Sequence, residues 1–381
     1  MKKLAALLIA LMLILSYTTV FAEDTVKIGM LTVLTGDRAT EGEYALNAME
    51  IALEEINGAG GVLGKPLEIV VEDALGTDVG AVNAFRKLAA DPDICAIIGT
   101  NNSNDSIATS SSVLEAEVLT TAQGSNPVLM KLCNEENRWM FQLRACDITL
   151  CSALMKYAVE ELGVKSFAVL HDTDSSSSNQ AALFTEALAA YNIKPLIDVP
   201  FTTGTKDFSS HLAQIQNTGA EAIIVCCIYT EAAIILQQKQ ALEMEQPVFG
   251  SNAFGDPITI SLAGDAINGV YSASGWVPNT PNEIGAALAA KYEERFGNAC
   301  ASSASQVYDH SKVICEAINR AGTTDRAAVR DAMQTISNFQ GAVTIYDCRT
   351  NGDCGRGGLL VQVVDEKPVI IEELYSEKVI E

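Results

Sequence analysis

Short β-branched runs alternate with longer stretches of helical period along almost the whole of this 381-residue chain, and that alternation restricts its fold more than any other feature. Val26-Lys27-Ile28-Gly29-Met30, Leu67–Glu72, Ile94–Ile98 and Val118–Thr121 read as strands. Ser166–Leu170, Pro195–Val199, Ala222–Ile228 and Val248–Gly250 repeat the pattern further on. Between the first two strands, Leu46, Met49, Leu53 and Ile56 recur at helical spacing and leave Glu50, Glu54 and Glu55 on a wet face. Asn57-Gly58-Ala59-Gly60-Gly61 then stops that helix. Further helices are predicted near 79–90, 150–162, 179–191, 209–218, 231–242, 284–296 and 307–321. The continuous apolar run Ala222–Ile228 suits a parallel strand covered on both faces. The expected architecture is therefore α/β, with two doubly wound lobes, closed by a terminal hairpin built from 359–364 and 369–371. No low-complexity linker separates the halves, which favours several crossing strands over beads on a string.

Lys2-Lys3, the apolar run Leu4–Leu15 and the small residues Val20 and Ala22 have the layout of a cleaved secretory leader, residues 1–22. The run is short for a bilayer core, which needs about twenty apolar residues. Cleavage after Ala22 exposes Glu23 rather than a lipid-accepting cysteine, so the expected location is periplasmic. With 48 acidic against 25 basic residues the chain carries a formal charge of −23, a surface that repels nucleic-acid phosphates. Its 48% hydrophobic content and interspersed charges argue against disorder.

Export permits the ten cysteines to pair. Cys348 and Cys354 flank a turn at Asn351-Gly352 and are expected to bridge it. Cys133, Cys146 and Cys151 allow one further bridge of open choice, while Cys226-Cys227 sits in an apolar run as buried thiols. No C-x-x-C pair or H-E-x-x-H motif occurs, so neither metal nor cofactor is expected.

Lys27–Leu31 leading to Leu34-Thr35-Gly36 resembles the opening of the leucine/isoleucine/valine-binding proteins, type I periplasmic solute-binding proteins of ABC importers. Ala52–Asn57 through Gly60–Leu67, Glu72-Asp73, Ile97-Ile98-Gly99, Gly124–Pro127 and Lys206–Ser209 continue the resemblance in order over nearly the whole mature chain. It implies two lobes joined by three hinge crossovers, expected near Arg144, Ala273 and Thr344. Lobe one would then be 24–144 plus 275–344, and lobe two 145–274 plus 345–381. It also implies hinge closure on a small amino acid or related carboxylate, delivery to membrane permease subunits, a monomeric protein and no catalysis.

Ligands of open α/β sheets sit beyond the carboxyl ends of the strands. Thr100-Asn101-Asn102-Ser103 follows one such end and offers hydroxyl and N–H donors at a helix start, with a plain N-cap as the alternative. The resemblance implies ligand contact for Asn102 and Ser103, and for Gly124 and Ser125, whose alternative is a tight turn before Pro127. Tyr229 matches an aromatic that closes from lobe two, or else a core tyrosine. Asn252 stands where the amino-acid binders carry an ammonium-binding glutamate. Glu41 and Ser176 replace aromatics, which makes the expected pocket unusually polar, and Glu41, Asp172 or Asp105 could supply the missing charge. His171 is either a cleft residue or a loop residue. Two other functions stay open: a stand-alone sensory subunit, and a secreted hydrolase, for which no G-x-S-x-G elbow or nucleophile–base pair is recognisable.

Overall fold

A computed structural model describes residues 24–36, 38–355 and 357–374; the leader expected over 1–22 lies outside them. The first sheet is parallel throughout, in the order β2-β1-β3-β4-β5. Its strands are β1 (Val26–Thr32), β2 (Leu67–Asp73), β3 (Ile94–Ile98), β4 (Leu119–Ala122) and β5 (Met140–Gln142). The second contains β6 (Phe167–Asp172), β7 (Ile197–Phe201), β8 (Ala222–Cys226), β9 (Val248–Gly250), β10 (Tyr271–Ser274), β13 (Gly358–Val364) and β14 (Lys367–Leu374). Its order is β14-β13-β10-β9-β8-β6-β7, parallel except where the terminal hairpin adds antiparallel strands beside β10. A short hairpin pairs β11 (Phe339–Gln340) with β12 (Ile345–Tyr346).

Burial follows the logic of the strands. Every residue of β3 and of β8 is buried, because helices cover both faces of each sheet centre. On one face of the first sheet, Met49 of the helix Ala39–Gly58 and Val313, Ile314 and Ile318 of the helix Ser302–Ala321 share a core with Val26, Ile28 and Met30. Glu55 fastens the outside of this helix pair, accepting hydrogen bonds from Lys312 Nζ at 2.7 Å, Tyr308 OH at 2.6 Å and Lys291 Nζ at 3.0 Å. Those donors hold its carboxyl down at about 2. Arg326 is a second fastener. Its guanidinium donates to the carbonyls of Ile94 (3.0 Å), Ala89 (3.1 Å) and Asp91 (2.8 Å), tying the helix Arg326–Met333 to the loop that enters β3.

The chain passes between the sheets after β5, after β10 and before β13. The third passage differs from the sequence expectation near Thr344. Tyr346, Cys348 and Cys354 are buried in the core of the first sheet, and the loop between the two cysteines docks on β5. There Gln142 N donates to Asn351 O and Cys354 N to Gln142 O, both at 2.9 Å. We therefore propose that the third crossing lies between Cys354 and β13, after the apolar side chains of this loop have been used by the first sheet. Gly355 marks the spot, since a Cβ there would lie 2.3 Å from Leu143 O in the first crossing.

No disulfide joins the cysteines, all ten of which are buried. The bridge expected between Cys348 and Cys354 does not form, because the Cys354 thiol turns toward its own loop and donates to Thr350 O at 3.2 Å. Cys226 and Cys227 are buried thiols as expected, and burial raises both well above the ordinary thiol range, which leaves them unreactive. Among the described residues no helix is long and apolar enough to cross a membrane.

Candidate functional site

The carboxyl ends of the central strands of both sheets open onto one cavity of about 210 Å³. From the first sheet come the loops after β3 and β4. The first, Gly99–Asn102, leads into the helix Ser103–Ala116, whose N-cap Asn102 accepts from Asn104 N at 2.7 Å. The second, Gln123–Asn126, leads into the short helix Pro127–Lys131. From the second sheet come the loops after β6, β8 and β9, which carry Asp172, Tyr229 and Asn252 to the opposite wall. All six residues singled out from the sequence, Asn102, Ser103, Gly124, Ser125, Tyr229 and Asn252, line this cavity together.

Their contacts are specific. Ser103 Oγ accepts from Asn126 N at 3.3 Å, which joins the two loops of the first wall and leaves the hydroxyl proton for another partner. Gly124 lies so close to Ser103 that a Cβ there would meet Ser103 Cα at 2.7 Å, and its carbonyl accepts from Gln142 Nε2 at 2.8 Å. The Ser125 carbonyl accepts from Asp147 N at 2.8 Å, and the Ser125 hydroxyl accepts from Asn252 Nδ2 at 3.4 Å. That last contact spans the cleft, as does Asn104 Nδ2 to Asp174 Oδ1 at 3.2 Å. Asp256, N-cap of the helix Pro257–Ala263, makes a third bridge by accepting from Ser302 N at 2.9 Å. Burial lifts its carboxyl to about 6. Tyr229 is partly buried at this junction, packed against the apolar cluster that includes Tyr44, Ile258 and Trp276, and burial raises its phenol well above the ordinary range.

The charges divide unevenly. Arg38 holds Glu41 with Nε at 2.9 Å and Nη2 at 3.0 Å, and Asp105 with Nη1 at 3.3 Å. Glu41 and Asp105 do line the cavity, but both are engaged by this one guanidinium, and the trio keeps a single formal negative charge. Asp172 accepts from Asp174 N at 3.0 Å and Thr203 Oγ1 at 2.7 Å, and Asp174 from Ser176 N at 2.8 Å. Neither carboxylate has a cation within ion-pair distance among the described residues. His171 lies near the end of β6, where its Nε2 is 3.3 Å from Asp198, and it does not line the cavity.

Among the lining residues that sequence reasoning missed are Asp174 and two arginines, Arg38 and Arg144. Arg144 was read only as a crossover, yet a lone arginine directly after the apolar Met140-Phe141-Gln142-Leu143 was the available signal. Its guanidinium also bears on His310, which is fully buried with Nδ1 at 2.9 Å from Thr121 Oγ1. Burial, reinforced by the Arg144 charge, pushes the imidazole down to about 3. The folded protein thus refuses a proton that the unfolded chain accepts near pH 6.5. This contribution to stability is complete above pH 6.5 and is lost as pH falls from there toward 3, at about 1.4 kcal/mol per pH unit. Denaturant unfolding of the wild type and His310→Gln should show that slope in their difference between pH 6 and 4. Buried Asp256 and Asp309 are common to both proteins and cancel; parallel curves would reject the assignment.

A family model described as periplasmic binding protein matches residues 25–367. The Leu/Ile/Val-binding protein BraC3 of Rhizobium johnstonii is 26% identical over 278 residues, covering 71% of this chain and 74% of its own. Among solved structures, the branched-chain amino acid transporter substrate-binding protein LivJ of Streptococcus pneumoniae, in complex with isoleucine, superposes with a TM-score of 0.84. It is 20% identical, and the match covers 93% of this chain and 99% of that one. A solute-binding protein of an ABC transporter from R. palustris, in complex with benzoate, gives a TM-score of 0.82 at 17% identity, with 93% and 98% covered.

Proposed function

Because the chain belongs to the periplasmic binding protein family, with Leu/Ile/Val-binding proteins among its relatives, we propose that it is the extracytoplasmic solute-binding component of an ABC importer. It is a binding protein and not an enzyme. Its ligand is a small amino acid or related carboxylate, taken between lobe one, 24–144 plus 275–354, and lobe two, 145–274 plus 355–374. The observation that carries this reading is the single cavity lined from both sheets, with Ser103 and Tyr229 on opposite walls. Isoleucine and benzoate, named with two of its structural neighbours, share a carboxylate, which supports that chemistry. Ser103 and the amide-rich loop around Asn102 receive the carboxylate; Tyr229 and Asn252 close from the other side as a monomer folds about its hinges. Closure excludes water, which strengthens each polar contact. The mature chain, cleaved after Ala22, then meets permease subunits at the membrane.

Thermal unfolding of the refolded, ligand-stripped protein tests the reading against the common amino acids and simple carboxylates. A true ligand at about 100 times its Kd stabilises the fold by about 2.7 kcal/mol. If no amino acid or carboxylate stabilises the protein, the reading fails. Uptake of the identified ligand into vesicles bearing the cognate permease and ATPase should require the added protein. Uptake that is equal without it would leave a sensory role in place of transport.

A further inference from the structure

One buried cation on the cavity wall makes no ion pair, although its charge bears on the buried carboxyls of Asp147 and Asp256. Arg144 is only 6% exposed, yet among the described residues no carboxylate comes within ion-pair distance of its guanidinium. Nη1 reaches two neutral oxygens, Asn101 Oδ1 at 3.2 Å and the Gln123 carbonyl at 3.5 Å, and Nε is buried with no hydrogen-bond partner. Arg38, across the same cavity, shows how this protein treats a guanidinium that serves structure alone: it is tied to both Glu41 and Asp105. A buried, unpaired charge is costly unless a partner of opposite sign arrives. Arginine is also the side chain whose planar fork matches a carboxylate with two parallel bonds.

The rest of the wall restricts what that partner can be attached to. Among the described residues, Cys227, Ile228 and Ala253 are the only aliphatic or thiol side chains on it, and the remaining side chains are hydroxyls, amides, carboxylates, two guanidiniums and the Tyr229 ring. An aliphatic ligand side chain would strip water from these groups without replacing their hydrogen bonds. On the second-lobe side, Asp172 and Asp174 remain unpaired with any cation and face the same space. The cavity, at about 210 Å³, lies below the roughly 300–1,000 Å³ that drug-sized ligands occupy, so the guest is small.

We infer that Arg144 is the charge anchor for the ligand's acid group, and that the ligand is a small hydrophilic acid and not a branched-chain aliphatic amino acid. This inference rests on the binding-protein reading above and narrows it. Arg144 grips the acid beside Asn101, and hydrophilic substituents of the ligand hydrogen-bond to the amide and hydroxyl groups of the two walls. An ammonium, where the ligand has one, is received by Asp172 and Asp174, which replaces the glutamate that Asn252 lacks.

Calorimetric titration of the ligand-stripped protein separates the possibilities. The probes are serine, aspartate, glutamate and malate, with leucine, isoleucine and valine beside them, and the carboxamide of each acid that binds. At least one hydrophilic acid should bind, at least tenfold more tightly than any of the three aliphatic amino acids. Arg144→Gln should weaken that acid about tenfold to a hundredfold, as loss of a charged hydrogen bond does, while leaving its carboxamide unchanged. Arg144→Lys should keep the preference for acid over carboxamide at reduced affinity, because it keeps the charge and loses the fork. Tightest binding of leucine, isoleucine or valine would overturn the inference and leave the transport reading standing, as would an acid-over-carboxamide preference undiminished in Arg144→Gln. Absence of binding across the whole panel would also overturn the inference, and the wider thermal screen of amino acids and carboxylates would then decide the transport reading separately. The wild-type titrations decide the ligand class even if Arg144→Gln does not fold.

Discussion

An Asp309→Ala variant is expected to lose about 3–5 kcal/mol of unfolding free energy, since it orphans three buried donors at once. The Asp309 carboxylate accepts from Ala342 N at 2.6 Å, Val343 N at 2.8 Å and Tyr346 OH at 2.8 Å, and no solvent reaches it. These bonds hold the segment that leads into the third crossing against the helix Ser302–Ala321. Burial raises the Asp309 carboxyl to about 6 despite these bonds, so acceptor geometry matters more here than a formal charge. Asp309→Asn, which keeps one acceptor oxygen, should therefore cost well under half as much. Urea unfolding of the three proteins at pH 7 provides the check. A loss below 1 kcal/mol in the alanine variant would mean that the 341–346 segment is held by its apolar contacts alone.

Gly124→Ala is expected to weaken ligand binding by about tenfold to a hundredfold while the fold persists. Its added methyl would lie 2.5 Å from Ser103 Oγ, 2.6 Å from Leu129 Cδ1 and 2.7 Å from Ser103 Cα. The last of these is backbone, so relief requires the start of the helix Ser103–Ala116 to move away from the cavity floor. Overpacking of this kind costs about 1–3 kcal/mol, and about 1.4 kcal/mol is a factor of ten in affinity. Gly58→Ala is the matched control: it lies at the end of a helix with nothing within 4 Å of its added Cβ, and should leave affinity unchanged. Calorimetry with the ligand found for the wild type measures both. Equal affinity in Gly124→Ala would remove the loop at 123–126 from the binding site.

The strands β1, β3, β8 and β9 were legible because buried parallel strands must be apolar over their whole length, which is a local property. β5 was not, since Met140–Gln142 ends on a polar residue and takes its strand identity from the neighbours it pairs with, β4 and the loop 351–354. The six proposed site residues follow strand ends, and strand ends in a doubly wound sheet converge, so their meeting in one cavity was foreseeable from order alone. The bridge between Cys348 and Cys354 was misread for the opposite reason. Spacing shows that two thiols can meet, but the direction in which Cys354 turns depends on the loop's docking against β5.

Sequence by itself thus determined the class of fold, the reuse of one architecture in two lobes and the side of each sheet on which the cavity opens. These properties depend on periodicity and chain order, which are written along the chain. Only the tertiary structure decided the charge balance of the cleft. Arg38 and Arg144 are chemically identical side chains, each with a carboxylate three residues on, Glu41 and Asp147, yet only Arg38 forms an ion pair with that neighbour and with a distant one. That difference arises because Coulombic pairing acts through space, between residues as distant in sequence as Arg38 and Asp105.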